Sequence, residues 1–188
     1  MNGKLRVIGG TVRGRKLQQV PGGTTRPITD RVKESLFNII GADVIESRFL
    51  DLFAGTGSVG IEALSRGADL TLFVDNNRQA IDTIKKNLSI TNLNHKSVVK
   101  KMNAFTMLND ETPDEYDYIY IAPPQYQDMW KQALMTLDDS PAWLSEDVWV
   151  IAQIDPKEYE ELTCQHIEEF DQRKYGSTLL VFFQRRLD

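Results

Sequence analysis

The residues best placed to do chemistry cluster in the first half of the chain. LDLFAGTGSVG (50–60) sets Gly55, Gly57 and Gly60 in G-x-G-x-x-G spacing just after an acid, Asp51, and FVD (73–75) ends in a second acid, Asp75. Glycines so spaced allow a tight turn and close approach of backbone N–H groups to a ligand, which would lie along Phe53, Ala54, Gly55, Thr56 and Gly57. Asp75, with Asn76 beside it, is placed to bond ribose hydroxyls. Nicotinamide dinucleotides and S-adenosylmethionine share this layout, and charge separates them. A carboxylate at Asp51 repels a pyrophosphate, which needs a bare helix N-terminus. It suits the ammonium of a methionine moiety, directly or through water. The structural alternative for Asp51 is a cap on the glycine turn. Asn103 is placed to read an adenine, with Ala104 and Phe105 offering a backbone N–H and a ring, or it is a helix N-cap.

The elements that must carry these residues alternate. FLDLF (49–53) reads as a buried strand and SVGIEALSRG as a helix closed by Gly67. TLFVD (71–75) is a strand and 77–92 a long amphipathic helix. Strands near 97–102, 116–121 and 148–154 alternate with helices near 104–109, 128–138 and 156–163. Two final strands, 164–175 and 177–186, meet at Gly176-Ser177 and must be antiparallel. Upstream, 5–20 reads as a hairpin, 21–27 as a loop, and Thr29 or Asp30 caps a helix with Val32, Leu36, Phe37 and Ile40 on one face. The expected fold is α/β, Rossmann-like, with a mostly parallel seven-stranded sheet and an antiparallel terminal hairpin. The expected division is a basic N-terminal hairpin extension (1–28) and a cofactor-binding domain (29–188).

A chain of 188 residues with 41% hydrophobic and 26% charged residues has the make-up of a folded domain, not a disordered one. No apolar run is long enough to span a membrane, and MNGKLRVIGG has no secretory h-region, so a cytoplasmic protein is expected. Cys164 is the single cysteine and has no internal partner for a disulfide. His95, His166 and Cys164 are scattered with no metal-ligand spacing, and Trp130, Trp143 and Trp149 read as core. The net charge of −5 is unevenly spread: residues 1–33 carry eight bases and one acid, leaving −12 on the rest. That asymmetry is the footprint of a basic docking arm on an acidic body, or of a hairpin merely solubilised by charge.

RVIGGTVRGRKL (6–17), RPITDRVKESLFNII (26–40), LDLFAGTGSVGIEALSRGA (50–68), FVD (73–75) and a Pro-Pro loop together resemble the RsmD type of 16S rRNA guanine-N2 methyltransferase along nearly the whole chain. The resemblance implies a class I methyltransferase fold. It also implies S-adenosylmethionine as cofactor and 16S rRNA, within an assembling small subunit, as partner of a monomeric enzyme. In such enzymes an [Asp/Asn]-Pro-Pro-aromatic loop holds the N–H bonds of an exocyclic amine, turns its lone pair toward the methyl, and stacks the extruded base. The corresponding residues here are Ala122, Pro123, Pro124, Gln125 and Tyr126, so the acid is an alanine and the aromatic is displaced by one. Gln125 is placed to supply the missing acceptor while Tyr126 stacks the base. The alternatives are backbone carbonyls alone, a non-catalytic cofactor- and RNA-binding assembly factor, or an adenine-N6 methyltransferase. The arm would meet rRNA phosphates through Arg6, Arg13, Arg15, Lys16, Arg26 and Arg31. Arg26, Thr29 and Arg31 would also border the methionine end of the cofactor, and Arg173, Lys174, Arg185 and Arg186 would extend the basic surface.

Overall fold

Seven strands form one sheet in the order β3-β2-β1-β4-β5-β7-β6. The structure, a computed structural model, describes residues 5–22, 28–110 and 114–186. The strands are β1 (Arg48–Asp51), β2 (Leu70–Asp75), β3 (Ser97–Lys101), β4 (Tyr116–Ile121), β5 (Leu144–Ile154), β6 (Ile167–Tyr175) and β7 (Thr178–Arg185). The first five are mutually parallel, and β7 runs antiparallel between β5 and β6. The helices are α1 (Asp30–Ile40), α2 (Ser58–Ser65), α3 (Arg78–Thr91), α4 (Ala104–Asp110) and α5 (Met129–Asp139). None of the described helices is long and apolar enough to cross a membrane.

Alternation along the strands builds two cores. Phe49, Phe73, Tyr118 and Tyr120 pack with α1, α2 and α3 on one face, whereas Leu50, Leu52, Leu72 and Val74 pack with α4 and α5 on the other. Every residue of α2 is buried, so this helix is covered on all sides. Thr29 caps α1, its Oγ1 accepting from the Val32 N–H at 3.3 Å. Asn77 caps α3, and Asn92 closes it in the left-handed region. Of the three tryptophans, Trp130 and Trp143 are fully buried and Trp149 partly so.

Three elements differ in extent from the sequence reading. The helix expected at 156–163 is a single turn, Pro156–Glu158. Asp155 and Glu158 close a capping box around it, and Tyr159 is already extended. The N-terminal hairpin has one antiparallel bridge, Arg6 opposite Lys16, with Val7 bonded across to Arg15 and Gly14, because beyond Val7 the backbone of residues 8, 9, 11 and 12 bonds to α2 instead. β5 begins at Leu144, four residues early, and bulges against β4: Tyr116 faces Leu144 but Tyr118 faces Trp149.

Candidate cofactor and acceptor site

The carboxyl ends of the parallel strands converge where ligands bind open α/β sheets. After β1 the chain turns through Gly55 (φ 55°) and Gly57 (φ 75°) into α2. Asp51, 2% exposed, accepts the Gly60 N–H on Oδ2 at 3.1 Å. Burial pushes its carboxyl up to about 7 against the opposing pull of that bond, and nearby Asp75 adds to the rise. Gly60 approaches β2 closely, since a Cβ there would stand 2.4 Å from the Phe73 ring. Asp75 accepts the Gly55 N–H on Oδ2 at 2.9 Å and the Asn77 N–H on Oδ1 at 2.8 Å. Two carboxylates therefore take one N–H of the loop, that of Gly55, and one in the first turn of α2, that of Gly60, where a pyrophosphate would sit. Such a site fits a cofactor bearing an ammonium and a ribose, and Ser58 Oγ lies buried at the loop with no partner among the described residues.

The aromatic rings of Phe53 and Phe105 meet edge to face, with centroids 6.0 Å apart. Asn103 caps α4, its Oδ1 accepting from the Phe105 and Thr106 N–H groups at 2.9 and 3.2 Å. What it leaves for a ligand is its NH₂, a donor suited to an adenine ring nitrogen more than to the adenine amino group. Ala104 is buried, Asn76 is exposed beside Asp75, and Thr29 is exposed with its Oγ1 accepting the Val32 N–H of its helix cap. Thr56 is buried, and its carbonyl accepts from Asn87 Nδ2 at 2.9 Å. Asn87 also bonds both backbone groups of Gln18, so it ties the end of the arm to the glycine loop.

β4 leads into the candidate acceptor loop, residues 122–126. Ala122 and Pro123 are partly buried, whereas Pro124, Gln125 and Tyr126 are exposed. The Gln125 amide makes no hydrogen bond within the described residues. Tyr126, at φ 60°, donates its N–H to Glu158 Oε1 at 2.6 Å and its hydroxyl to Asp155 Oδ2 at 2.9 Å. Beneath the loop, the Tyr120 hydroxyl bonds Gln153, and burial holds that phenol far above its usual pKa, with the Asp51 charge adding to it.

The arm is fastened by charges the sequence reading passed over. Glu62, fully buried on α2, accepts the Ile8 N–H at 2.8 Å, the Gly9 N–H at 2.7 Å and Arg66 Nε at 2.9 Å. Lys33 Nζ lies 3.6 Å from Glu62 and donates to the Arg6 carbonyl at 2.6 Å. Lys33 counts among the basic residues of the first 33 but is fully buried, so it belongs to the core and not to a docking face. Burial lowers its pKa, opposed chiefly by Glu62. Gly10, at φ 76°, packs so tightly that a Cβ would overlap the Ser65 carbonyl. Outside this hub, Arg13, Arg15, Lys16 and Arg31 are exposed, and Arg6 pairs with Asp30 at 2.9 Å. Arg26 lies outside the described residues. Arg173 pairs with Asp171, and Arg185 and Arg186 bond the carbonyls of Leu144 and Ile167. A buried Glu inside the apolar run of α2 was the one sequence signal for this hub.

Sheet order, glycine loop and paired acids define a class I methyltransferase fold. The family model "Conserved hypothetical protein 95" matches residues 5–184, and the chain belongs to that family, the RsmD type its motifs resemble. The chain is 39% identical over 184 residues to "Putative rRNA methyltransferase YlbH" of Bacillus subtilis, covering 97% of this chain and all of that one. It is 33% identical over 153 residues to "Ribosomal RNA small subunit methyltransferase D" of Escherichia coli, covering 81% and 75%. Among solved structures, "Putative methyltransferase yhhF from Escherichia coli" superposes with a TM-score of 0.84 at 28% identity, covering 97% of this chain and 98% of that one.

Proposed function

We propose that this protein transfers a methyl group from S-adenosylmethionine to the exocyclic N2 amine of a guanine in 16S rRNA. It acts as a cytoplasmic monomer on an assembling small subunit. The observation that carries the reading is the pair Asp51 and Asp75. They take the Gly55 and Gly60 N–H groups with carboxylates, and Asp51 ends the strand next to the one that carries the Pro-Pro loop. The small-subunit and rRNA methyltransferase names of the relatives support the RNA substrate.

In this reading Asp51 faces the methionine ammonium, Asp75 the ribose hydroxyls, and Phe53 and Phe105 the adenine. The bound cofactor supplies an electrophilic methyl on a sulfonium that leaves as a neutral thioether. The protein's task is the nucleophile. The lone pair of an exocyclic amine is conjugated into its ring, so acceptors for its N–H bonds must orient it. Ala122 contributes only its backbone carbonyl, which leaves Gln125 as the side-chain acceptor on the loop. Arg13, Arg15, Lys16 and Arg31 hold rRNA phosphates.

The test is methyl transfer from labelled cofactor to small subunits lacking N2-methylguanine, with nucleoside analysis. N2-methylguanosine is the expected product. N6-methyladenosine would change the base, and no incorporation with cofactor binding intact would leave a binding factor. Reversing charge at Arg13 and Arg15 should lower the slope of log affinity against log salt by about 2. An unaltered slope would remove the arm from the RNA interface.

A further inference from the structure

We propose that the turn Asp155-Pro156-Lys157-Glu158 is a clamp for the acceptor loop, in which Asp155 and Glu158 are positioning residues that hold Tyr126 as the stacking wall for the target base. The proposal rests on the methyltransferase reading above and deepens it. Tyr126 is tied at both its polar ends, by its N–H to Glu158 and by its hydroxyl to Asp155. Even so, it is 65% exposed, so the tethering does not bury it. A ring fixed at both ends and open to solvent is a pre-organised aromatic platform. The left-handed backbone of Tyr126 (φ 60°) is uncommon for a tyrosine and has to be held by its surroundings.

The clamp is itself braced. Glu158 Oε2 accepts the Asp155 N–H at 3.3 Å, and Asp155 Oδ1 accepts the Lys157 N–H at 2.9 Å. Each carboxylate thus spends one oxygen on the turn and the other on Tyr126. Pro156 sets the turn's first helical residue. The loop that follows β5 is in this way made part of the site at the end of β4, its parallel neighbour. Since the aromatic residue lies at 126 and not 125, a brace from a neighbouring strand end supplies the rigidity that the sequence of the loop does not.

The experiment is single-turnover methyl transfer by the full chain and its variants, with cofactor affinity measured alongside. Tyr126→Phe and Asp155→Ala should each slow transfer about 10-fold while cofactor affinity stays unchanged. The double variant should be no slower than Asp155→Ala alone, because Tyr126→Phe removes a hydrogen bond that Asp155→Ala has already removed. Asp155→Asn keeps its oxygen for the Lys157 N–H and can donate its NH₂ to the Tyr126 hydroxyl oxygen, a bond of reversed direction, and should recover most of the rate. Transfer by Asp155→Ala at the parent rate, or losses that multiply in the double variant, would overturn the clamp. If the parent itself transfers nothing, the methyltransferase reading fails, and hydrogen exchange at the Tyr126 amide decides the clamp. Slowed exchange in the parent that is lost in Glu158→Ala supports it, and equal exchange in both overturns it.

Discussion

Replacing Glu62 by alanine is expected to cost about 3–5 kcal/mol of stability, the range for removing one partner of a buried ion pair. The loss is large because Glu62 satisfies four groups at once: two backbone N–H groups of the arm, Arg66, and the buried Lys33. Removing it strands the Lys33 ammonium at zero exposure and leaves the Ile8 and Gly9 amides facing a cavity. Glu62→Gln should behave almost as badly. Both carboxylate oxygens accept a backbone N–H, and an amide presents only one acceptor. The melting temperature should fall by roughly 10 °C, and trypsin should cut at Arg13, Arg15 and Lys16 far faster than in the parent. A variant that melts and resists trypsin like the parent would show that the arm is held by its apolar contacts alone. Because Leu5, Val7 and Leu17 are themselves buried, the two contributions are separable in this way.

Asp51→Asn should make the protein more stable at pH 8 and worse at binding its cofactor. Burial raises the folded-state pKa of Asp51 from 3.8 to about 7. Below pH 3.8 the carboxyl is protonated in both states and costs nothing. Between there and 7 the unfolded chain releases a proton that the folded protein keeps, so stability falls with rising pH and levels off above 7. Three units correspond to roughly 4 kcal/mol at most. Asparagine removes that cost and still offers Oδ1 to the Gly60 N–H, so its advantage should be present at pH 8 and shrink toward pH 4 in urea titrations. If the carboxylate faces the methionine ammonium, the same change should weaken cofactor binding by about 10- to 150-fold, the worth of a charged hydrogen bond. Parent affinity should also decline as pH drops below 7, while that of the variant stays flat. A parent affinity independent of pH between 6 and 8 would leave Asp51 as a structural cap on the glycine loop.

Features that depend on local pattern were legible from the chain alone. Strand-helix alternation set the parallel sheet, glycine spacing set the loop between β1 and α2, and Thr29 and Gly67 marked helix ends within a residue. The two acids proposed to face the cofactor stood out in the sequence because each sits at a strand end next to a recognisable turn, and both accept backbone N–H groups there. At Asn103 the sequence left an adenine contact and a helix N-cap open, and the structure shows the cap: the first N–H groups of α4 take its oxygen. The tertiary structure alone decided which polar groups are shared between distant segments. Glu62 meets Ile8 across 54 residues, Asn87 meets Gln18 across 69, and Glu158 meets Tyr126 across 32. No periodicity encodes such pairings, because a helix or strand constrains only its own next few residues. The first two arise because packing brings a buried carboxylate or amide against backbone groups that need a partner, which fixes where the arm sits, whereas Glu158 meets Tyr126 at the exposed rim, where strand order brings the two loops together.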